Sequence, residues 1–359
     1  MQVQTADVET SPESMNHRSD RETVSVVIPC FNEERYIGQA LDQLADQYDS
    51  DSYEIIIIDG LSTDRTRDVI DDFRQRRSDV TVTVVDNPAR NIPTALNLGV
   101  RAARGQIIAR MDAHAVPTAG YVRRCVDVLQ EGRASVVGMP CNVLPGDNSS
   151  MARAIAVAVS HPFGIGDATY RLGKSGPLQE PVDTVAFACF RKSLWNDLGG
   201  FNEALLTNED YDFNYRVRQS GKEVILDRSG HCDYFARTSL GSLGRQYLRY
   251  GGWKAEMIRL QPGSIKLRHL VAPLFVLSLF LLILLSLFLP LARWLLLAEV
   301  VTYLFFALVA GWLALRKARV SLAMLPIMPV IFATIHLTWG TSFLFRILVP
   351  ARTAPKVQS

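Results

Sequence analysis

Four short apolar runs, residues 25–28, 54–58, 80–85 and 106–110, punctuate the first third of the chain. They are rich in β-branched side chains and nearly unbroken, which suits strands covered on both faces. Between them lie longer segments of helical spacing, each introduced by a capping residue. Asn32 stands ahead of Glu33 and Glu34, Ser62 or Thr63 ahead of the second segment, and Thr94 ahead of a third that closes at Gly105. Strands alternating with helices predict an α/β fold, a parallel sheet with helices on both faces. Such sheets take ligands beyond the carboxyl ends of their strands. Here those ends carry Pro29, Asn32, Glu33, Asp59, Asp86 and Asp112. Most of these are acids, so the crevice is charged, and a metal-bridged phosphate ligand would offset the repulsion.

The pattern changes after Leu270. Residues 270–289 are uncharged, 294–315 are interrupted only by Glu299, and 320–348 contain Pro326, Pro329 and His336. About twenty residues rising 1.5 Å each cross roughly 30 Å of hydrocarbon. Three transmembrane helices are therefore expected, the prolines kinking the third. A buried core helix is the competing reading, and the length rule disfavours it. Lys254, Arg259, Lys266 and Arg268 precede the first span, and Arg316, Lys317 and Arg319 follow the second, against Arg293 alone between them. This bias predicts that the α/β domain and the second loop face the cytoplasm; three crossings then leave the C-terminus outside. The expected organisation is a disordered leader over 1–22, the α/β domain over 23–237, interfacial amphipathic helices over 238–268, a membrane domain over 269–348 and a tail over 349–359.

The chain has 359 residues, 48% of them hydrophobic, and a formal net charge of +2. That is enough for one sizeable α/β core beside the membrane segments. With no long basic stripe, nucleic acid is not an expected partner. Cys30, Cys125, Cys141, Cys189 and Cys232 show no C-x-x-C spacing, which fits reduced thiols over a disulfide framework or zinc site. No cleavable signal peptide is expected, since the polar start has no apolar h-region. Neither G-x-G-x-x-G nor a P-loop follows the first strand, which argues against a dehydrogenase or an ATPase. If a phosphate binds, a cation must do more of the work.

Two acidic clusters carry the candidate chemistry. Asp112-Ala113-His114 follows the fourth apolar run, where a strand stops and a loop presents an acid. Glu209-Asp210 opens a helical segment that stops at Gly221. Carboxylates in a first turn are favoured by the helix dipole, and one of them could take a proton from an acceptor hydroxyl. Arg90, in the loop before the third helix, is a candidate for a phosphate. The Gly-rich stretch 164–181 is a candidate mobile loop over an acceptor site.

Val26-Val27-Ile28-Pro29-Cys30-Phe31-Asn32-Glu33-Glu34 and Ile58-Asp59-Gly60-Leu61-Ser62-Thr63-Asp64-Arg65-Thr66 resemble the opening motifs of family 2 glycosyltransferases with the GT-A fold. Asn97-Leu98-Gly99, the stretch from Ala109 to Ala115, Thr207-Asn208-Glu209-Asp210 and the stretch from Arg245 to Lys254 are similar to the succinoglycan-biosynthesis branch of bacterial membrane glycosyltransferases. This resemblance implies a GT-A fold, a mixed and mainly parallel sheet with helices on both faces. It implies an inverting hexosyltransferase of exopolysaccharide or cell-surface glycan biosynthesis in the inner membrane, catalytic domain cytoplasmic. The donor would be a nucleotide-sugar, UDP-glucose first among them, and the acceptor a polyprenyl-diphosphate-linked saccharide.

By position, the resemblance gives Pro29, Asn32, Glu33 and Asp59 to the nucleoside, Asp59 accepting from a uracil edge. Asp112 would hold Mn²⁺ or Mg²⁺ on the diphosphate side. His114 stands where the commoner D-x-D pattern has its second acid. Imidazole suits Mn²⁺ better than Mg²⁺, which leaves metal ligation and hydrogen bonding to phosphate or sugar both open. Asp210 would be the base, with Glu209 orienting the site. Gln246, Arg249 and Tyr250 resemble a Gln-x-x-Arg-Trp element, with Tyr for Trp, and share one helix face. Arg249 would neutralise the diphosphate, and Tyr250 and Trp253 would meet the acceptor; the same aromatics also read as an interfacial apolar face. The alternatives are a processive polysaccharide synthase, for which three spans are few, and a non-catalytic membrane scaffold, which has little use for Asp112 and Asp210.

Overall fold

The computed structural model describes residues 22–172 and 176–350. The expected leader and tail lie almost entirely outside these residues, as do three positions of the 164–181 stretch. β1 (Val24–Cys30) leads through α1 (Ile37–Leu44) to β2 (Tyr53–Asp59), then α2 (Thr66–Arg76), β3 (Thr81–Asp86), α3 (Ile92–Ala102) and β4 (Ile107–Arg110). These strands pair in parallel in the order β3-β2-β1-β4. Every residue of β2 is buried, because both faces are covered. Ile37, Leu41, Ile70 and Phe73 of α1 and α2 pack on Val26, Ile28, Ile55 and Ile57. Ala95, Leu96 and Val100 of α3 pack on Val27, Ile56 and Ile58 on the opposite face.

The helix starts differ from the sequence expectation. α1 begins only at Ile37, and Asn32, at φ +55°, is a loop residue. Asp64 accepts from the amide and hydroxyl of Thr66 ahead of α2. Asn91, not Thr94, caps α3, accepting from the Thr94 amide at 3.0 Å. Pro29 lies within β1 and not past its end.

The chain continues through β5 (Val116–Pro117), α4 (Tyr121–Gln130), β6 (Val136–Gly138), β7 (Cys141–Leu144), α5 (Ser150–Ala158), α6 (Pro162–Ile165), β8 (Gln179–Pro181), β9 (Cys189–Arg191), α7 (Lys192–Asp197), α8 (Glu209–Gln219), β10 (Val224–Asp227) and β11 (Cys232–Phe235). β9 pairs antiparallel with both β4 and β6, β10 runs parallel to β6, and β8 closes the edge antiparallel. The result is a mixed, mainly parallel eight-stranded sheet, with β5, β11 and β7 forming a small second sheet.

α9 (Leu240–Leu260) links this body to α10 (Arg268–Ser286), α11 (Pro290–Ala318) and α12 (Met328–Leu348). Three segments here, Arg268–Ser286, Pro290–Ala318 and Leu322–Leu348, are long and apolar enough to cross a membrane. Pro326 sits in a 3₁₀ turn and Pro329 starts α12, so neither kinks that helix, whereas Pro273 lies in the interior of α10. α10 and α11 form a hairpin in which Ser278 donates to Glu299 at 2.5 Å. α12 is more enclosed. Val330, Leu337 and Phe345 are exposed along it, but Phe332 meets Phe163 of α6, ring centroids 5.0 Å apart. α9 runs beside α12 in the same direction: Ser342 donates to the Leu248 carbonyl at 2.6 Å, and Arg346 faces Glu256 at 4.0 Å.

Candidate active site

β1 ends between β2 and β4, and the loops that follow these strands meet there. The loop after β1 is locked onto the loop after β2. Ser62 Oγ accepts from the Asn32 amide (2.9 Å), Asn32 Oδ1 from the Thr63 amide (2.8 Å), and Thr66 Oγ1 from the Glu33 amide (2.8 Å). This engagement is why Asn32, Ser62 and Thr63 cap no helix. Asp59 is fully buried and accepts from Ser62 Oγ (2.5 Å) and Arg67 Nε (2.6 Å), and Arg67 reaches on to Asp86 (2.5 Å). Its carboxylate therefore anchors the loop, and a hydrogen bond to a uracil edge needs Ser62 or Arg67 to let go. Phe31 stands exposed beside this crevice with the Arg90 guanidinium 5.7 Å from its ring.

On the far side of β1, the last residue of β4 gathers the acids. Arg110 is buried, and its guanidinium meets Glu209 (3.2 Å), Asp112 (3.3 Å) and Asp210 (3.5 Å). Asn208, in the left-handed region at φ +70°, turns the chain into α8, so Glu209 and Asp210 occupy its first turn, where unpaired backbone amides favour negative charge. The Glu209 side chain is 5% exposed and that of Asp210 33%. Burial, followed by the Asp210 charge, pushes the Glu209 carboxyl up to about 8. The two neighbouring acids are thus unequal: one is enclosed and inclined to hold a proton, the other faces open space.

His114 Nδ1 lies 3.1 Å from Glu33 Oε1. Burial lowers the imidazole pKa, yet the Glu33 hydrogen bond and the Asp112 and Glu33 charges together raise it above its ordinary value. Glu33 is therefore a partner of His114, which joins the crevice to a second, larger space.

That space is a cavity of about 840 Å³. It is lined by Asp112, His114 and Asp210 and also by Ala272 and Phe275 of α10, Tyr303 of α11, and Ile335 and Trp339 of α12. Gln246, Arg249, Tyr250 and Lys254 of α9 also line it. Gln246 Nε2 donates to the hydroxyls of Tyr234 and Tyr250, each at 3.0 Å, and Arg249 lies 5.7 Å from the Tyr250 ring centroid. Trp253 is not brought there; it packs against Leu205, Tyr211, Tyr215 and Met257. Pro29, Asn32, Asp59 and Arg90 do not line the cavity either.

Residues 25–199 match the model described as Glycosyl transferase family 2. The succinoglycan biosynthesis protein ExoA of Rhizobium meliloti (strain 1021) is 30% identical over 256 residues, which is 69% of this chain and 75% of that one. The chain is a family 2 glycosyltransferase. The enzyme is also 28% identical over 244 residues to a dolichyl N-acetyl-alpha-D-glucosaminyl phosphate 3-beta-D-2,3-diacetamido-2,3-dideoxy-beta-D-glucuronosyltransferase of Methanococcus voltae, 66% of this chain and 74% of the relative. In fold, this glycosyltransferase is similar to the mannosyltransferase PcManGT of Pyrobaculum calidifontis in complex with GDP-Man and Mn²⁺, with a TM-score of 0.59 at 19% identity, covering 92% of this chain and 88% of that one. The mixed sheet is the GT-A fold.

Arg110 and Lys254, which line the glycosyltransferase's cavity, are among its residues that the sequence did not mark as candidates. Arg110 ends an apolar strand immediately before the acidic loop, and a charge in that place was the available signal. Lys254 is buried, with Nζ 3.4 Å from the Tyr211 ring centroid. A lysine on a helix face otherwise made of Tyr247, Gly251 and Met257 was the corresponding signal.

Proposed function

We propose that this glycosyltransferase moves a hexose, with inversion at C1, from a nucleotide-sugar to a lipid-linked saccharide at the cytoplasmic face of the inner membrane. A UDP-sugar, UDP-glucose first, is the proposed donor. One observation carries this reading: a single cavity is lined both by Asp112 and Asp210 and by residues of three apolar helices. A wholly water-soluble acceptor gains nothing from an apolar wall, whereas a lipid-borne one can lay its chain there and keep its sugar at the acids. The Methanococcus voltae relative is named for transfer to a dolichyl-phosphate sugar and the Rhizobium meliloti relative for succinoglycan biosynthesis, which supports the acceptor class.

The nucleoside would occupy the crevice shaped by Pro29, Asn32 and Asp59, its base against exposed Phe31 with Arg90 beside it. Among the described residues there is no ready-made cluster of metal ligands. Mg²⁺ and Mn²⁺ sites, however, are commonly completed by substrate phosphates and water around one or two protein ligands. Asp112 and His114 fit that partial shell, since both line the cavity and Glu33 leaves His114 Nε2 available; an imidazole favours Mn²⁺. A bound ion would neutralise the leaving diphosphate. Arg249 would add to that neutralisation. Asp210 would take the proton of the acceptor hydroxyl as its oxygen attacks C1. The C1–O bond to the diphosphate breaks, and the nucleoside diphosphate leaves with the electron pair. Glu209, enclosed beside Arg110, would set the position of Asp210.

Membranes containing the protein, incubated with a panel of radiolabelled nucleotide-sugars, should transfer label into extractable lipid. Asp210→Asn should lower that transfer by about 10²–10⁴-fold while donor binding persists. No labelled lipid with any donor would overturn the proposal. Equal loss of donor binding in Asp210→Asn would move Asp210 to the donor side.

A further inference from the structure

Six cations line the cavity: Arg110, Arg171, Arg237, Arg249, Lys254 and Arg268. Arg110 is matched by three carboxylates, and Arg268 pairs with Asp167 and Asp183. Arg237 and Arg249 are exposed to solvent, which screens them. Arg171 and Lys254 are different.

Arg171 closes a short 3₁₀ turn and is held between aromatic rings, its guanidinium 5.5 Å from Tyr170 and 5.4 Å from Tyr234. Its Nε is buried with no hydrogen-bond partner, and no carboxylate pairs with it among the described residues. The hydroxyl of neighbouring Tyr247 is also buried and unpartnered. Lys254 meets the Tyr211 ring and, at 3.6 Å, the Met257 sulfur; among the described residues it makes no salt bridge, and the Asp210 and Asp183 charges act on it from farther off. Unmatched cations and orphaned donors in an enclosed, largely aromatic pocket are costly unless something supplies acceptors and negative charge. Among the described residues no acceptor reaches Arg171 Nε or the Tyr247 hydroxyl; a ligand can supply one.

We infer that Arg171, Tyr247 and Lys254 form the binding site for a phosphate group of the membrane-borne acceptor. The inference rests on the acceptor class proposed above. A phosphate ester offers several acceptor oxygens and a charge that persists in a low-dielectric pocket, and a guanidinium fits it in bidentate fashion. The donor diphosphate is the other source of the same chemistry, and position favours the acceptor. Arg171 also lines a second cavity, of about 450 Å³, where β7 and α5 meet Ala314, Lys317 and Ala318 of α11. Arg171 thus lies where the large cavity approaches α11, whereas Pro29, Asn32, Asp59 and Arg90 of the proposed nucleoside crevice line neither cavity. A lipid phosphate at Arg171 leaves the chain free to lie along α10 and α12 and directs the sugar toward Asp210.

The test uses the full-length protein in detergent, with farnesyl phosphate, farnesol, inorganic phosphate, UDP and GDP as probes. Farnesyl phosphate should bind far more tightly than farnesol or inorganic phosphate. Arg171→Gln and Lys254→Met should each weaken farnesyl phosphate roughly 30-fold and leave UDP and GDP affinity within about twofold; Arg171→Lys should fall between. If Arg171→Gln does not fold, the Arg171→Lys and Lys254→Met titrations decide alone. Equal weakening of the nucleotides would assign these cations to the donor. Farnesyl phosphate binding unchanged in the variants, or matched by farnesol or inorganic phosphate, would overturn the site. The two proposals fail separately: the donor panel reads transfer, this titration reads recognition of the phosphate.

Discussion

At the scale of single residues, Lys254 shows what the cavity demands of its lining. Burial brings its amine from 10.5 down to about 7, opposed by the charges of Asp210 and Asp183 and assisted by Arg268. Between pH 7 and about 10.4 the unfolded chain holds a proton there that the folded protein does not, so stability rises with pH across that window. Below pH 7 the buried ammonium costs its full penalty. Lys254→Met removes that penalty with a side chain of similar length. The midpoint of thermal unfolding in detergent should therefore rise more at pH 6 than at pH 9.5. An equal rise at both values, or a fall at pH 6, would mean that Lys254 is not held against its charge. The same amine, poised near neutrality, can take up a proton as an anionic headgroup arrives. Residues of this kind were the hard part of the sequence. Asp112 and Asp210 could be read because an acid at a strand end or a helix start has a local signature. Arg110 and Lys254 owe their character to partners far along the chain, and no spacing along the chain announces that Arg110 unites the loop after β4 with the first turn of α8.

Elements followed from periodicity, and their ends did not. The strand runs and the apolar tail were legible because burial on two faces, or immersion in lipid, writes a long apolar stretch. The caps failed because Asn32, Ser62 and Thr63 have side chains that serve equally well as helix caps or as ties between loops. Here the ties won, since β1 and β2 end side by side. Packing between helices is set by residues that pattern analysis treats as neutral. At Gly251 of α9 a Cβ would approach the Trp339 carbonyl oxygen of α12 to 2.2 Å, and at Gly340 one would approach the Ala272 carbonyl oxygen to 2.6 Å. Backbone cannot yield as a side chain does, so Gly251→Ala should force α9 from α12 and carry Gln246, Arg249 and Lys254 out of register. The expected outcome is a destabilisation of about 1–3 kcal/mol, with transfer lost more steeply than binding of UDP, whose proposed place is the crevice at β1 and β2. Transfer at the native rate in this variant would show that α9 does not rely on contact with α12.

For the whole molecule, α12 decides how the chain meets the membrane. α10 and α11 run together as a hairpin, Phe275 stacked on Tyr303 at 4.7 Å. α12 does not follow them to the tip. It touches α11 near Gly311 and Met328, crosses at Tyr303–His336 and Ala272–Gly340, and ends tied to α9 through Arg346 with Glu256 and Arg259 with the Ile347 carbonyl. α9 exposes Arg245, Arg249 and Arg259. Placing such side chains in hydrocarbon costs at least about 2.5–3.5 kcal/mol each at the bilayer centre, so a helix flanked by α9 is expected at the interface, with Val330, Leu337, Phe345, Ile347 and Leu348 as its exposed apolar side chains. Length and apolarity could not separate this arrangement from a third crossing, which is why the sequence pointed to an outside C-terminus. We predict instead that α12 stays at the interface and the C-terminus inside, a placement with which Arg346, Arg352 and Lys356 agree under the positive-inside bias. Green fluorescent protein fused after Ser359 should fluoresce in bacterial cells, and alkaline phosphatase at the same point should stay inactive. Active phosphatase with a dark fluorescent fusion would restore three crossings, and would require α9 to part from α12 when the protein enters the bilayer.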